Sequence, residues 1–178
     1  MNPFYHANDA PKNHWERSKP TQSSKQSTYR DHLRSSLDDE LCDAGFFSQI
    51  NNEAPTKEQR EIIMSIVGEE YGHAQIQAVL LRITTPPPHR PPRCPSATGR
   101  FEADIETAIK CELDAIRRYS WLRSRTSDPR TKDRLASILN DEYTHVRMWA
   151  GLLSRWKQNE ELSQDDELPP EPQDEKLP

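Results

Sequence analysis

The feature that most constrains this chain is a duplicated set of carboxylates and imidazoles. Glu70-Tyr71-Gly72-His73 and Glu142-Tyr143-Thr144-His145 are both Glu-x-x-His, and each follows a glutamate 30 residues upstream, Glu40 and Glu112 respectively. The whole unit recurs at an offset of 72 residues. One glutamate from each of two helices, plus Glu-x-x-His from each of two others, is the ligand set with which a four-helix bundle encloses two iron or manganese ions.

The spacing has a mechanical meaning. The midpoint between Glu40 and Glu70 is Pro55, and that between Glu112 and Glu142 is Ser127. Both midpoints fall in turn-like sequence, Asn51-Asn52-Glu53-Ala54-Pro55-Thr56 and Thr126-Ser127-Asp128-Pro129. In an antiparallel hairpin, residues equidistant from the turn lie side by side. Fifteen residues at the helical rise place each ligand roughly 22 Å from its own turn. Two such hairpins, packed together, bring all six groups to one level.

Composition enters through proline. Only 33% of the 178 residues are hydrophobic and 15 are proline, which is poor material for a core until the prolines are located. Thirteen lie before residue 28, between Pro86 and Pro95, or from Pro169 onward; the other two, Pro55 and Pro129, sit in the proposed turns. Proline inside a helix costs roughly 3 kcal/mol, so its exclusion from 29–54, 57–84, 101–128 and 130–157 marks four helices. Their inward stripes read Leu33, Leu37, Glu40, Ala44, Phe47; then Ile63, Ile66, Glu70, His73, Gln77, Leu80; then Ile105, Ala108, Glu112, Ala115, Tyr119, Leu122; and finally Leu135, Ile138, Glu142, His145, Trp149, Leu152. Steps of three and four mark one helix face. Thr56 with Gln59 predicts a capping box, and Asp128 with Pro129 a second helix start.

The segment from Thr84 to Pro95 is predicted to be extended, largely polyproline II, and long enough to run the length of a bundle. The expected organisation is an N-terminal arm over 1–28, a bundle over 29–157 with a crossover at 85–100, and an acidic, Pro-rich tail over 158–178, both ends disordered or loosely packed. No apolar run reaches the roughly 18 residues of a membrane span, and the polar N-terminus lacks the apolar stretch of a secretory signal. A basic nucleic-acid footprint is absent at a net charge of −5. Cys42, Cys94 and Cys111 form no C-x-x-C pair, and their odd number argues against a disulfide framework. A reducing cytoplasm is therefore the expected setting.

Four glutamates within apolar stripes are hard to explain as structure, because buried carboxylates are costly and repel one another. A single Glu-x-x-His is ordinarily a solvated pair; two in register, each matched by a glutamate at the same distance from its turn, are not. Two divalent ions balance four negative charges, with two glutamates bridging, two terminal, and one neutral imidazole on each ion. Carboxylate and imidazole donors suit iron or manganese, and no thiolate is placed to favour zinc. The metal-ligand set is Glu40, Glu70, His73, Glu112, Glu142 and His145. Tyr119, seven residues after Glu112, is placed to hydrogen-bond a ligand glutamate, where the other half carries Phe47. Asp43 and Asp114 are candidates to take the second ring N–H of a ligand histidine. Glu69 and Asp141 should point about 100° away, as solvated or outer groups. Tyr71 and Tyr143 are expected to pack between helices. Gly45, Gly68 and Gly72 fit either a close helix approach or mere tolerance.

Glu40-Leu-Cys-Asp-Ala, Glu70-Tyr-Gly-His, the helix around Glu112 and Glu142-Tyr-Thr-His resemble the ferritin-like superfamily, and its rubrerythrin-like members most closely, over about residues 29–157. The resemblance implies an all-α, ferritin-like antiparallel four-helix bundle, made of two helical hairpins joined by the Pro-rich crossover. It also implies a di-iron site that reacts with hydrogen peroxide or dioxygen. The rubredoxin module with its four cysteines is missing, so an external electron donor is expected. The partners are then a small-molecule oxidant and that donor, without nucleic acid or membrane, and with a homodimer left open. Alternatives are a di-manganese, catalase-like enzyme, or a non-enzymatic iron-binding or spore-associated structural protein.

Overall fold

A computed structural model of the protein describes residues 28–82 and 94–165. Four helices account for nearly all of them: α1 (Tyr29–Glu53), α2 (Lys57–Leu81), α3 (Phe101–Arg125) and α4 (Pro129–Asp165). The expected polyproline crossover, the N-terminal arm and most of the tail lie outside the described residues. Helix α4 continues past the expected end at 157 to Asp165.

The helix ends follow local chemistry. Thr28 accepts from the Asp31 N–H at 3.2 Å while Asp31 accepts from the Thr28 N–H at 2.9 Å, a reciprocal box not foreseen from the sequence. Thr56 and Gln59 form the expected box, at 3.2 and 3.1 Å. Asp128 accepts from the Thr131 N–H at 2.9 Å, so Pro129 loses no needed donor as the first residue of α4. Helix α3 has no side-chain cap at Arg100. There the buried Asp104 takes over, accepting from the Thr98 N–H at 2.8 Å and the Thr98 hydroxyl at 3.0 Å. Helix α2 ends on Arg82 in the left-handed conformation, its N–H returned to Ala78 and Val79.

The connections α1–α2 and α3–α4 are short, and these helices pack mainly in those pairs; α1 also meets α3, and α2 meets α4, more lightly. The Arg30 guanidinium at the start of α1 donates to the Leu81 carbonyl at the end of α2, and Arg155 late in α4 pairs with Glu58 early in α2. The predicted stripes are buried along their length, except that α2 closes on Leu81 rather than on the half-buried Leu80.

The apolar interior is split in two. One cluster gathers Phe46, Phe47, Ile50, Ile63, Ile66, Phe101, Ile105, Trp149 and Leu152. The other gathers Leu33, Leu37, Leu81, Ala115, Tyr119, Leu122, Leu135 and Ile138. On every helix the glutamates and histidines of the repeat lie between the two clusters, joined by the buried Cys42 on α1 and Ala74 and Gln77 on α2. The polar set is thus a layer sealed above and below by hydrocarbon.

Three expectations need correction. Cys42 and Cys94 form a disulfide, with Cα atoms 4.9 Å apart, and Cys111 is the free cysteine among the described residues. The odd count was a poor guide, because pairing needs only two cysteines within reach. The lead-in to α3 returns to α1 at that point, which a separation of 52 residues does not reveal. The argument for a reducing compartment falls with it. A link closing a loop of this size contributes about 4 kcal/mol in the chain-entropy account. Tyr71 and Tyr143 do not pack between helices; they are 47% and 48% exposed.

Finally, a Cβ added at Gly45, Gly68 or Gly72 meets nothing within 4 Å, so none of them serves a close helix approach. The exposed Gly68 then carries only the backbone-entropy penalty of glycine in a helix. Gly68→Ala should raise stability by roughly 0.5–1 kcal/mol. Urea midpoints of the two proteins check this, and a loss of stability would contradict the open space around the residue.

Candidate metal centre

Each of the six motif residues is buried, from 0% exposed for Glu142 and His145 to 3% for His73. They converge as two groups of four ligand atoms, each group lying within 4.8 Å of one another: Glu40, Glu70, His73 and Glu142, and Glu70, Glu112, Glu142 and His145. The groups share Glu70 and Glu142, the glutamates of the two Glu-x-x-His motifs. Glu40 with His73 belongs to one group alone, and Glu112 with His145 to the other. The two imidazole rings stand 5.7 Å apart between centroids.

Both histidines present Nδ1 inward. His73 Nδ1 lies 3.2 Å from Glu142, 3.4 Å from Glu70 and 3.5 Å from Glu40. His145 Nδ1 lies 2.9 Å from Glu70, 3.6 Å from Glu142 and 3.7 Å from Glu112. Of these contacts, His73 Nδ1 to Glu70 has hydrogen-bond geometry, but other ligand atoms remain unsatisfied. Glu40 Oε2, Glu70 Oε1, both Glu142 oxygens and His145 Nδ1 are buried without a hydrogen-bond partner. Buried polar atoms are nearly always satisfied, so five orphans in one spot call for a ligand. All are oxygen or nitrogen donors, as a hard or borderline divalent cation requires.

The outer ring nitrogens reveal what sequence reasoning missed. His145 Nε2 lies 2.7 Å from Glu69, and His73 Nε2 lies 3.4 Å from Asp141. The acid just before each ligand glutamate therefore reaches across to the histidine of the other hairpin. Accepting from Nε2–H leaves Nδ1 as the ring nitrogen that faces the shared carboxylates. Asp43 and Asp114 do not fill this role. Asp43 is hydrogen-bonded to the Cys111 thiol, and Asp114 pairs with Arg117 on the surface.

Two further donors complete the layer. The fully buried Tyr119 hydroxyl donates to Glu40 Oε1, as expected for that position. Trp149, read from the sequence as packing alone, donates its indole N–H to Glu112 Oε1 at 2.9 Å. Its place four residues after His145 was the available signal. The repeat offset relates Trp149 to Gln77 and Tyr119 to Phe47, and Phe47 packs on Trp149 at 5.0 Å. Each terminal glutamate thus receives one aromatic donor, but from non-equivalent positions.

Left to its own groups, the cluster divides its protons to stay neutral. Burial, reinforced by neighbouring carboxylates, pushes Glu40 and Glu112 well above the usual carboxylate range. Burial alone would also raise Glu70 and Glu142, but contacts with both imidazoles hold them below it. Burial alone would lower the histidines; the surrounding carboxylates instead raise His73 to about 12 and His145 higher still. These directions favour charged imidazoles beside Glu70 and Glu142 and neutral acids at Glu40 and Glu112. Close by, burial and the Glu70 charge raise Asp43 to about 7. Together with the donor chemistry, this proton inventory shows a cluster that could hold divalent cations in place of protons.

Comparison with known proteins finds no family model that matches the chain and no curated protein that matches it. Among the described residues no helix is long and apolar enough to cross a membrane.

Two outcomes follow from the geometry. Filling both ligand groups with divalent ions near pH 7 should release about four protons, two from the histidines and two from Glu40 and Glu112. Protons and metal compete for the same atoms, so affinity should fall as pH is lowered. Titration in a weakly buffered solution counts the protons, and release near zero would contradict the proton inventory. Separately, Glu69→Gln and Asp141→Asn should each weaken metal binding about 10–100-fold, the usual cost of losing an outer partner, while helicity is retained. Competition with a chromogenic chelator measures this.

Proposed function

We propose that this chain is a dinuclear metal protein of the rubrerythrin-like, ferritin-like kind, holding two iron ions and reacting with hydrogen peroxide or dioxygen. The observation that carries the reading is the pair of four-ligand groups sharing Glu70 and Glu142. A shared carboxylate pair between two separate Glu–His pairs is what a bridged two-ion centre needs. In this reading Glu70 and Glu142 would be shared between two ions, Glu40 and His73 would help hold one, and Glu112 and His145 the other. The short turns and the α1–α2 and α2–α4 end contacts support two antiparallel hairpins, with the Pro-rich stretch as the crossover of a ferritin-like bundle.

When bound, two iron ions supply redox chemistry for cleaving an O–O bond, together with a template for both oxygen atoms. The chain's own residues prepare for that work. Glu69 and Asp141 fix the ring tautomer, so that Nδ1 is free to ligate. Tyr119 and Trp149 each occupy one oxygen of a terminal glutamate, leaving the other oxygen to bind. The hydrocarbon clusters on both sides keep bulk water out and limit access to small molecules. Glu69 and Asp141 are 53% and 39% exposed at the side chain, so these two acids meet solvent on the α2–α4 side. In this reading an external electron donor would restore the reduced ions.

His73→Ala and His145→Ala should each lower bound metal by about one equivalent or more, because losing one ligand of a shared site weakens both positions. Elemental analysis of protein isolated without added metal tests this, and unchanged content in both variants would exclude the site. Peroxide consumption by the loaded protein, with and without a reductant, then sorts the chemistry. Reductant-dependent turnover supports the peroxidase reading. Reductant-independent turnover replaces it with catalase-like dismutation on manganese, and tight metal binding without turnover replaces it with an iron-binding structural role.

A further inference from the structure

We propose that the Cys42–Cys94 disulfide is a clamp on the α1–α3 seam beside the carboxylate–histidine layer, opened by attack of external thiols at Cys94. The metal-retention part of this proposal rests on the metal-site reading above; the thiol chemistry does not.

Placement makes the first part of the argument. Cys42 lies on α1 two residues after Glu40 and is 6% exposed, whereas Cys94 is exposed. Cys94 opens the described segment 94–100 that leads into α3 and toward Glu112. The link therefore joins the helix of one terminal glutamate to the approach of the other. Within its span of 52 residues it encloses all of α2, with Glu70 and His73. Among the described residues, the Ala97 N–H also ties this segment to α1, donating to Gln49 Oε1 at 3.1 Å, and the Gly99 backbone bonds to Glu53, while Thr98 turns back onto Asp104 of α3.

The space beneath the segment makes the second part. A cavity of about 140 Å³ lies between α1 and α3, walled by Asp39 and Asp43 on one helix and by Cys111, Asp114 and Arg118 on the other, with Pro95 at its rim. Asp39 and Arg118 meet across the seam at 2.8 Å. The half-buried Cys111 thiol, next in sequence to Glu112, bonds to Asp43 inside this space. Pro95 is the residue after Cys94, so the disulfide holds the rim in place.

The burial of Cys42 and the exposure of Cys94 set the course of the exchange. An external thiolate reaches Cys94 Sγ, forming a new S–S bond there as the Cys42–Cys94 bond breaks. The electron pair leaves on Cys42 Sγ, which takes up a proton. A second thiolate then attacks the external sulfur of the mixed disulfide, releasing a small-molecule disulfide and leaving Cys94 as a thiolate that is protonated in turn. Two thiols are oxidised to one disulfide and the protein disulfide is reduced to two thiols. A dithiol reagent does the same in one encounter.

The test uses the full chain, reduced glutathione as the thiol probe and Mn(II) as the metal probe. Brief native exposure to glutathione, quenching and peptide mass mapping should place the adduct on Cys94. An adduct on Cys42 instead, or no exchange until the protein unfolds, would overturn the thiol site. After reduction by dithiothreitol, iodoacetamide should label Cys111 at least tenfold faster. Chelator-driven release of Mn(II), followed by electron paramagnetic resonance, should also quicken at least tenfold. Cys94→Ser should reproduce both effects without reductant, and if that variant fails to fold the dithiothreitol arm decides alone. Labelling and release that change less than twofold would overturn the clamp and leave the metal centre standing. A chain that binds no Mn(II) in either state would overturn the metal-site reading and the retention role together, while adduct mapping still decides the exchange chemistry.

Discussion

Four carboxylates that must share one buried layer are the constraint on which the rest of this molecule depends. At contact distance in a poorly polarisable interior, four negative charges cannot coexist without compensation. The chain offers two ways to meet this. Protons can be distributed so that two imidazolium ions face two carboxylates and two neutral acids. Divalent ions can replace those protons. The helices are built around that exchange, with apolar clusters on both sides that fix the layer and exclude water. The same exclusion that makes the layer costly to form makes it selective for small, highly charged occupants.

Much of this was legible in the chain. The 30-residue spacing about Pro55 and Ser127 foreshadowed the meeting of Glu40 with Glu70 and of Glu112 with Glu142, on helices that pack in pairs. Stripes of period three and four proved buried at every position but Leu80, although flanking buried residues such as Phe46, Ile50 and Val67 lay outside them, and the caps at Thr56 and Asp128 marked two helix starts. These are local or nearly local rules, and helices obey them.

What was not legible required knowing which hairpin faces which. A residue just before a ligand turns about 100° away from it, so Glu69 and Asp141 looked like surface acids. That direction is toward the neighbouring hairpin, where the outer nitrogen of the opposite histidine waits. Asp43 and Asp114 looked better placed only because the search stayed within one helix face. Trp149 was hidden by its size: a large aromatic in a stripe reads as packing, and its single polar atom carries the function. The Cys42–Cys94 link was invisible for a related reason, since it depends on where an extended segment lands, and no periodicity records that.

The reciprocal reach of Glu69 and Asp141 has a consequence for symmetry. Each hairpin supplies three ligands and one outer acid, yet that acid serves the other hairpin's histidine and each ligand group borrows a glutamate across the interface. One hairpin alone is therefore half of a centre, and two identical copies related by a twofold axis would be the minimal complete object. Such a pair would be bound to sameness: a tyrosine at one terminal glutamate would dictate a tyrosine at the other. With both halves on one chain, that obligation is lifted. Glu40 meets a phenol and Glu112 an indole, with Phe47 and Gln77 at the positions those donors vacate in the opposite half. The two ligand groups can then differ in their surroundings, a division of labour closed to any homodimer of such halves.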